Sequence, residues 1–313
     1  MPSGSCIWII SLWVPRYSRS WHWRRHRRRR PIAEWTQTRR TPSATRRCRP
    51  QAAVDAALAA DLPLVLPRGT YRITAPLVID YSHHAGTGFE LTARGATIDG
   101  TAVGGPALIV ECAADCFYFH QEGTLFVNAD TDGPAVVFGK ADFSDPQNSG
   151  KLDHLVVNNR NTGQLATGCQ FNYVLNWDIN AVCVSAGGGS GIDLEQLQFS
   201  TLRGAASATA GTAITLGSGY IFANTFEGLD LEASPVCVSD TSPRTTNNTW
   251  TSPYLDCPTG LVHSRDTTTF GQIRWQLGAD VQTPLHPTLG RSHPRSAQIG
   301  PVIARRAFAA TQS

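Results

Sequence analysis

The chain is expected to be all-β, a parallel β-helix of short stacked strands with one short helix capping its N-terminal end. Three observations carry this expectation. The first is a repeat. Ala213-Ile214-Thr215-Leu216 precedes Cys237-Val238-Ser239-Asp240 by 24 residues, and Asn224-Thr225-Phe226 precedes Asn248-Thr249-Trp250 by the same step. Leu231-Glu232 likewise falls on Leu255-Asp256, and Ser200-Thr201-Leu202-Arg203-Gly204 precedes Asn224-Thr225-Phe226-Glu227-Gly228. The second is that each copy holds β-type runs parted by Gly, Ser, Thr, Asn and Pro, without the apolar spacing of a helix. The third is the size of the step, which is too small for a propeller blade and lacks the leucine ladder of a leucine-rich repeat. Strands stacked roughly 4.8 Å apart in successive turns satisfy all three.

Taken in order, residues 1–50 stand apart. They hold 13 Arg, no Lys and one acid, Glu34, including the run Arg24-Arg25-His26-Arg27-Arg28-Arg29-Arg30 beside Trp21, Trp23 and Trp35. Such a run with flanking aromatics suits nucleic-acid binding, although the absence of lysine argues against it. The apolar stretch from Cys6 to Val14 is too short to span a membrane and lacks the flanks of a signal peptide. This extension is expected to lie outside the fold, as a disordered or misassigned segment, with a degraded or atypical export or anchoring segment as the alternative. From Gln51 the pattern changes. Ala52 to Ala60 is alanine-rich with helical spacing after Pro50, which reads as a helix. Strands follow at Leu62 to Pro67, Thr70 to Ile73, Pro76 to Ile79, Phe89 to Leu91 and Ala96 to Gly100. The helix is expected to plug the open end of the coil, hiding its apolar core and its unpaired edge.

Later turns begin near Pro106, Pro134, Gly168, Gly191, Thr212, Val236 and Gly260, with inserted loops expected near Gln121 to Gly133 and Lys140 to Gly150. Eight or nine turns are expected between residues 70 and 275. The coil occupies 51–283, and 284–313, with four prolines and no alternation, reads as a tail. Eight cysteines contain no C-x-x-C pair, so no metal or other cofactor is expected. Cys112 with Cys116, and Cys237 with Cys257, are each close enough in sequence to bridge; burial as small hydrophobes is the alternative.

The order "QAAVDAALAADLPLVLPRGTYRITAPLVID" followed by "GFELTARGATIDG" resembles the opening of the pectate-lyase-like, right-handed parallel β-helix superfamily. The resemblance covers residues 51 to 100, and from there to about Trp275 only the turn pattern continues it. It implies a polysaccharide hydrolase or lyase of rhamnogalacturonase, epimerase-like or phage tailspike-like kind, extracellular or virion-associated, with a polysaccharide as partner and a homotrimer as the tailspike-like assembly. The polygalacturonase motifs are missing. Asn176-Trp177-Asp178 matches two letters of N-T-D, and D-D, H-G and R-I-K do not occur.

Stacking brings side chains at equivalent positions within reach of each other, and glycoside hydrolysis needs two carboxylates at such separations. Glu232 and Asp256 are aligned by the repeat, and Asp230 shares a face with Glu232 by alternation. These three are the expected catalytic acids. Trp177, Asp178, Glu227, Tyr254 and Trp275 are the expected substrate-binding residues, the aromatics as platforms for sugar rings. Asp193 with Glu195 forms a weaker acid pair. The competing expectation is a β-helix without catalysis, serving adhesion or structure, because outward acids on a solvated sheet need no further role. Phe226 and Trp250, at one ladder position, are expected to stack inside the coil.

Overall fold

A computed structural model describes residues 33–34, 50–84, 86–113, 115–242 and 244–263 and the strand pairs at 269–270 and 274–275. The arginine run, Cys6, Cys48 and the tail from 284 lie outside the described residues. The fold is a parallel β-solenoid of about seven turns with one helix near its N-terminal end. Three sheets wall it. The long sheet stacks Phe89–Gly100, Phe119–Ala129, Lys151–Asn159, Asp178–Ser185 and Thr201–Ala208, then continues as the shorter strands Thr225–Glu227 with Asp230–Glu232 and Thr249–Thr251 with Tyr254–Asp256. The back sheet has eight strands running from Leu77–Asp80 to Thr259–His263. A narrow sheet of six strands runs from Cys116–Phe117 to Arg244–Thr246.

Register along the back sheet gives the length of each turn. Leu77 pairs with Leu108, Leu108 with Val136 and Val136 with Cys169, steps of 31, 28 and 33 residues. Cys169, Ile192, Ile214, Val238 and Leu261 then follow at 23, 22, 24 and 23. The longer early turns are why the coil makes fewer turns than the eight or nine expected from a constant step. The segment expected as an inserted loop at Gln121 to Gly133 is instead mostly strand, Phe119–Ala129. In the later turns the register follows the sequence repeat. Thr225 pairs with Thr249, Phe226 with Trp250, Leu231 with Leu255 and Glu232 with Asp256.

The helix Pro50–Ala59 buries Ala53, Val54 and Ala57 against the first turn. Its Gln51 amide completes the seal, donating to Val78 O and accepting from Val78 N, both at 2.8 Å. A side chain thus substitutes for a neighbouring strand and satisfies edge groups that would otherwise template another chain. Ala33 and Glu34, inside the arginine-rich segment expected to stand outside the fold, pair with Leu64 and Val65.

Inward side chains alternate with outward ones, so the interior is a column of stacked residues. Phe226 and Trp250 stack at 4.1 Å between centroids, and Phe138 and Phe171 at 4.9 Å. Cys112–Cys116, Cys169–Cys183 and Cys237–Cys257 are disulfide-bonded. The second joins the back sheet to the long sheet across the core and was not among the expected pairs.

A corner between the narrow and long sheets repeats with one backbone geometry. Tyr118, Ser149, Asn176, Phe199, Ala223 and Asn247 all adopt positive φ, between 52° and 65°. Just beyond it, Ser200, Asn224 and Asn248 point inward and bind each other's turns. Asn224 Oδ1 accepts from Ser200 N, Asn248 Oδ1 accepts from Asn224 N, and the two amides donate to Leu197 O and Ile221 O. Buried carbonyls that no strand could reach are satisfied in this way.

Candidate functional site

The outer face of the long sheet carries a set of chemically able side chains from successive turns. A line of bulges divides it. Gly95, Gly123, Gly204 and Gly228 all have positive φ along this line, and a Cβ on Gly123 or Gly204 would collide with the carbonyl of Ala93 or Ala181. The register shifts beside Gly95 and between Leu152 and His154. The chain bends there, giving the face two planes.

On the first plane, Glu90, His120, Lys151 and Asp178 occupy one position in four successive turns. Asp153 sits in the bulge. Its carboxylate accepts from Lys151 Nζ at 2.6 Å and from Gly123 N at 3.3 Å, and lies 4.0 Å from His120 Nε2. The hydrogen bond from Lys151 holds the Asp153 carboxyl below the usual range, and Asp153 in turn raises Lys151. His120 Nε2 is buried and makes no hydrogen bond. An open pocket of about 380 Å³ lies beside this column, lined by Thr87, Glu90, Tyr118, His120, Ser149 and Lys151.

Further along, Arg203 bridges two of the expected binding residues. Its Nη1 donates to Asp178 and its Nε to Glu227 Oε2 at 2.8 Å. Asp178 and Glu227 are therefore brought together, but as the two ends of an ion-pair bridge.

On the second plane, Asp230 pairs with Tyr254 and Glu232 with Asp256 in register. Asp230 and Glu232 are exposed, and Tyr254 and Asp256 half-buried. The three expected catalytic acids and one expected platform thus form a single patch of two turns. Partial burial, then the neighbouring Asp256, Asp230 and Glu232, push the Tyr254 phenol up, so it stays protonated at neutral pH. Among the described residues no cation pairs with Asp230, Glu232 or Asp256.

Trp177 corrects its expectation. It is 2% exposed, packs against Phe119 and Phe138 inside the coil, and donates from Nε1 to Gln147 O. It occupies the inward phase just before the outward Asp178, so it is a core residue and no platform. The backbone of Trp275 pairs with Leu255, and its side chain lies outside the described residues. Asp193 is on the back sheet, where its Oδ2 accepts from Gln170 Nε2 at 3.4 Å, and Glu195 lies in the bend just past that strand. Glu195 Oε2 accepts from Ser218 N and Oγ, while burial, then Glu195, raise Asp193 to about 7.

Sequence reasoning missed His120, Lys151, Asp153, Glu90 and Tyr118. Lys151-Leu152-Asp153 does show outward-inward-outward alternation, but early turns of unequal length conceal which residue stands above which.

No family model, curated protein or solved structure matches the chain. The architecture itself, a parallel β-helix, is compatible with carbohydrate-active and with structural proteins of that shape.

Proposed function

We propose that this is an extracellular, polysaccharide-cleaving β-helix protein that binds a glycan along the outer face of its long sheet. The observation that carries the reading is the pairing of Glu232 with Asp256, outward and in register beside Tyr254. Neighbouring turns stand roughly 4.8 Å apart, close to the ~5–5.5 Å carboxyl separation of retaining glycosidases. One of the two would act as acid and then base, and the other as nucleophile, while Asp230 and the neutral Tyr254 hydroxyl orient sugar hydroxyls. Three disulfides favour an oxidising compartment, which agrees with action outside the cell. Among the described residues no helix is long and apolar enough to cross a membrane. A homotrimer follows only from the resemblance of the opening segment to tailspike-like proteins.

A non-catalytic, adhesive or structural β-helix is the second reading, favoured by the ion pairs Lys151–Asp153 and Asp178–Arg203–Glu227, which engage these five charged side chains of the first plane with one another. Reducing-end release from a panel of polysaccharides separates the two. Glu232→Gln and Asp256→Asn should each lower release by roughly a hundredfold or more, the scale of an acid–base contribution. Release unchanged in both variants removes the site, and no release by the wild type on any polymer favours the structural reading.

A further inference from the structure

We propose that the pocket between Tyr118 and Lys151 is a second saccharide subsite, taking one sugar unit that is neutral or carries an ammonium group. This deepens the glycan reading and rests on it for the class of ligand. The pocket's position and selectivity are argued from its own residues. At about 380 Å³ it falls in the lower part of the ~300–1,000 Å³ range of small-molecule sites. It is also remote from the Glu232–Asp256 patch. Four turns separate Phe119–Ala129 from Asp230–Glu232, roughly 19 Å along the axis at one strand spacing per turn.

The lip is an aromatic held in an unusual place. Tyr118 is 58% exposed and sits at φ 65°, a conformation that costs a bulky residue energy. The fold enforces it. Tyr118 N donates to Asn148 O at 3.0 Å, its own carbonyl accepts from Phe89 N at 3.1 Å, and Gly88 leaves room where any Cβ would strike that carbonyl. With its backbone fixed at the corner, Tyr118 presents an exposed ring that can serve as a platform for a sugar. Behind it His120 is held with Nε2 buried near Asp153, so another edge of its ring meets the pocket. Thr87, Ser149, Glu90 and Lys151 supply hydroxyl, carboxylate and ammonium groups around it, a set suited to sugar hydroxyls.

Charge decides the selectivity. Lys151 is the pocket's one cation and it is already paired with Asp153, while Glu90 has no ion pair among the described residues. Glu122 adds further negative charge near Lys151, while Asp178 is paired with Arg203. Residues 50–263 as a whole carry 21 Asp and Glu against 8 Lys and Arg. A uronate or sulfated unit would meet an unopposed carboxylate within the ~8 Å screening length of physiological salt, whereas an amino sugar would be attracted.

The test is a titration of the full chain with three hexamers, of glucosamine, of β-1,4-linked glucose and of galacturonate. It is followed by the His120 imidazole signal in NMR, assigned by its absence in His120→Gln. The glucosamine or the glucose hexamer should shift that signal and bind at least tenfold tighter than the galacturonate hexamer. Tyr118→Gly, which removes the ring while favouring the same backbone, should weaken binding roughly tenfold, the scale of a cation–π contact. Equal or tighter binding of galacturonate, wild-type affinity in Tyr118→Gly, or no shift with any hexamer overturns the proposal. A protein that binds here but releases no reducing ends leaves the subsite standing and removes only the cleavage reading; one that releases ends without binding here removes only the subsite.

Discussion

Asp193 shows how a single outward residue can set a pH response. Its carboxyl is raised to about 7 by burial and by Glu195, and Oδ1 makes no hydrogen bond. A carboxyl raised on folding binds more protons in the native than in the unfolded state between its ordinary value and 7, so stability falls as pH rises through that window. The melting temperature should therefore drop from pH 5 to pH 8, and Asp193→Asn should flatten the slope; an unchanged slope in the variant would assign the response elsewhere. The same scale shows what could be read from the chain alone. Glu232 above Asp256 was legible because the step is constant there. His120 beside Asp153 was not, because the steps around it are 28 and 33 residues and one turn contains a bulge. Trp177 was misplaced by one phase of alternation, which inverts a side chain from surface to core.

Among the elements, the corner between the narrow and long sheets is the least visible in the sequence. The repeated letters at Ser200, Asn224 and Asn248 mark it, yet their inward role depends on the left-handed residue before each, and Phe199, Ala223 and Asn247 share no side-chain type. Asn224 is 1% exposed and holds three groups at once: Ser200 N, Leu197 O and Asn248 Oδ1. Asn224→Ala should cost on the order of 3 kcal/mol in urea unfolding, the scale of stranding buried polar groups. Asn148→Ala, which loses only an exposed bond to Asp115, should cost under about 0.5 kcal/mol. Equal losses would mean the ladder contributes no more than a surface contact.

At the level of the whole molecule, three covalent links tie successive faces of the coil. Cys169–Cys183 encloses 14 residues of separation and Cys237–Cys257 encloses 20. Loops of that size restrict the unfolded chain by about 3 kcal/mol each. Replacing both Cys169 and Cys183 by Ala should lower stability by roughly that amount, and reductant should lower the melting temperature of the wild type but shift this variant less. Insensitivity of the wild type to reductant would show that the bridges are not formed. The overall architecture was readable because a solenoid writes its geometry as a period. The link between Cys169 and Cys183 was not, because it spans two sheets within one turn and leaves no trace in the spacing.

The left-handed corner has a consequence for how such a protein diversifies. Six storeys share one backbone hinge, anchored from within by Ser200, Asn224 and Asn248 on the upper floors, yet outside they display Tyr118, Ser149, Asn176, Phe199, Ala223 and Asn247. Apart from the cost of the left-handed backbone to a bulky residue, the groups that hold the hinge do not include the side chain hung on this banister. Changing the tenant of one floor leaves the masonry behind it intact, so new specificities can be tried along this edge one storey at a time.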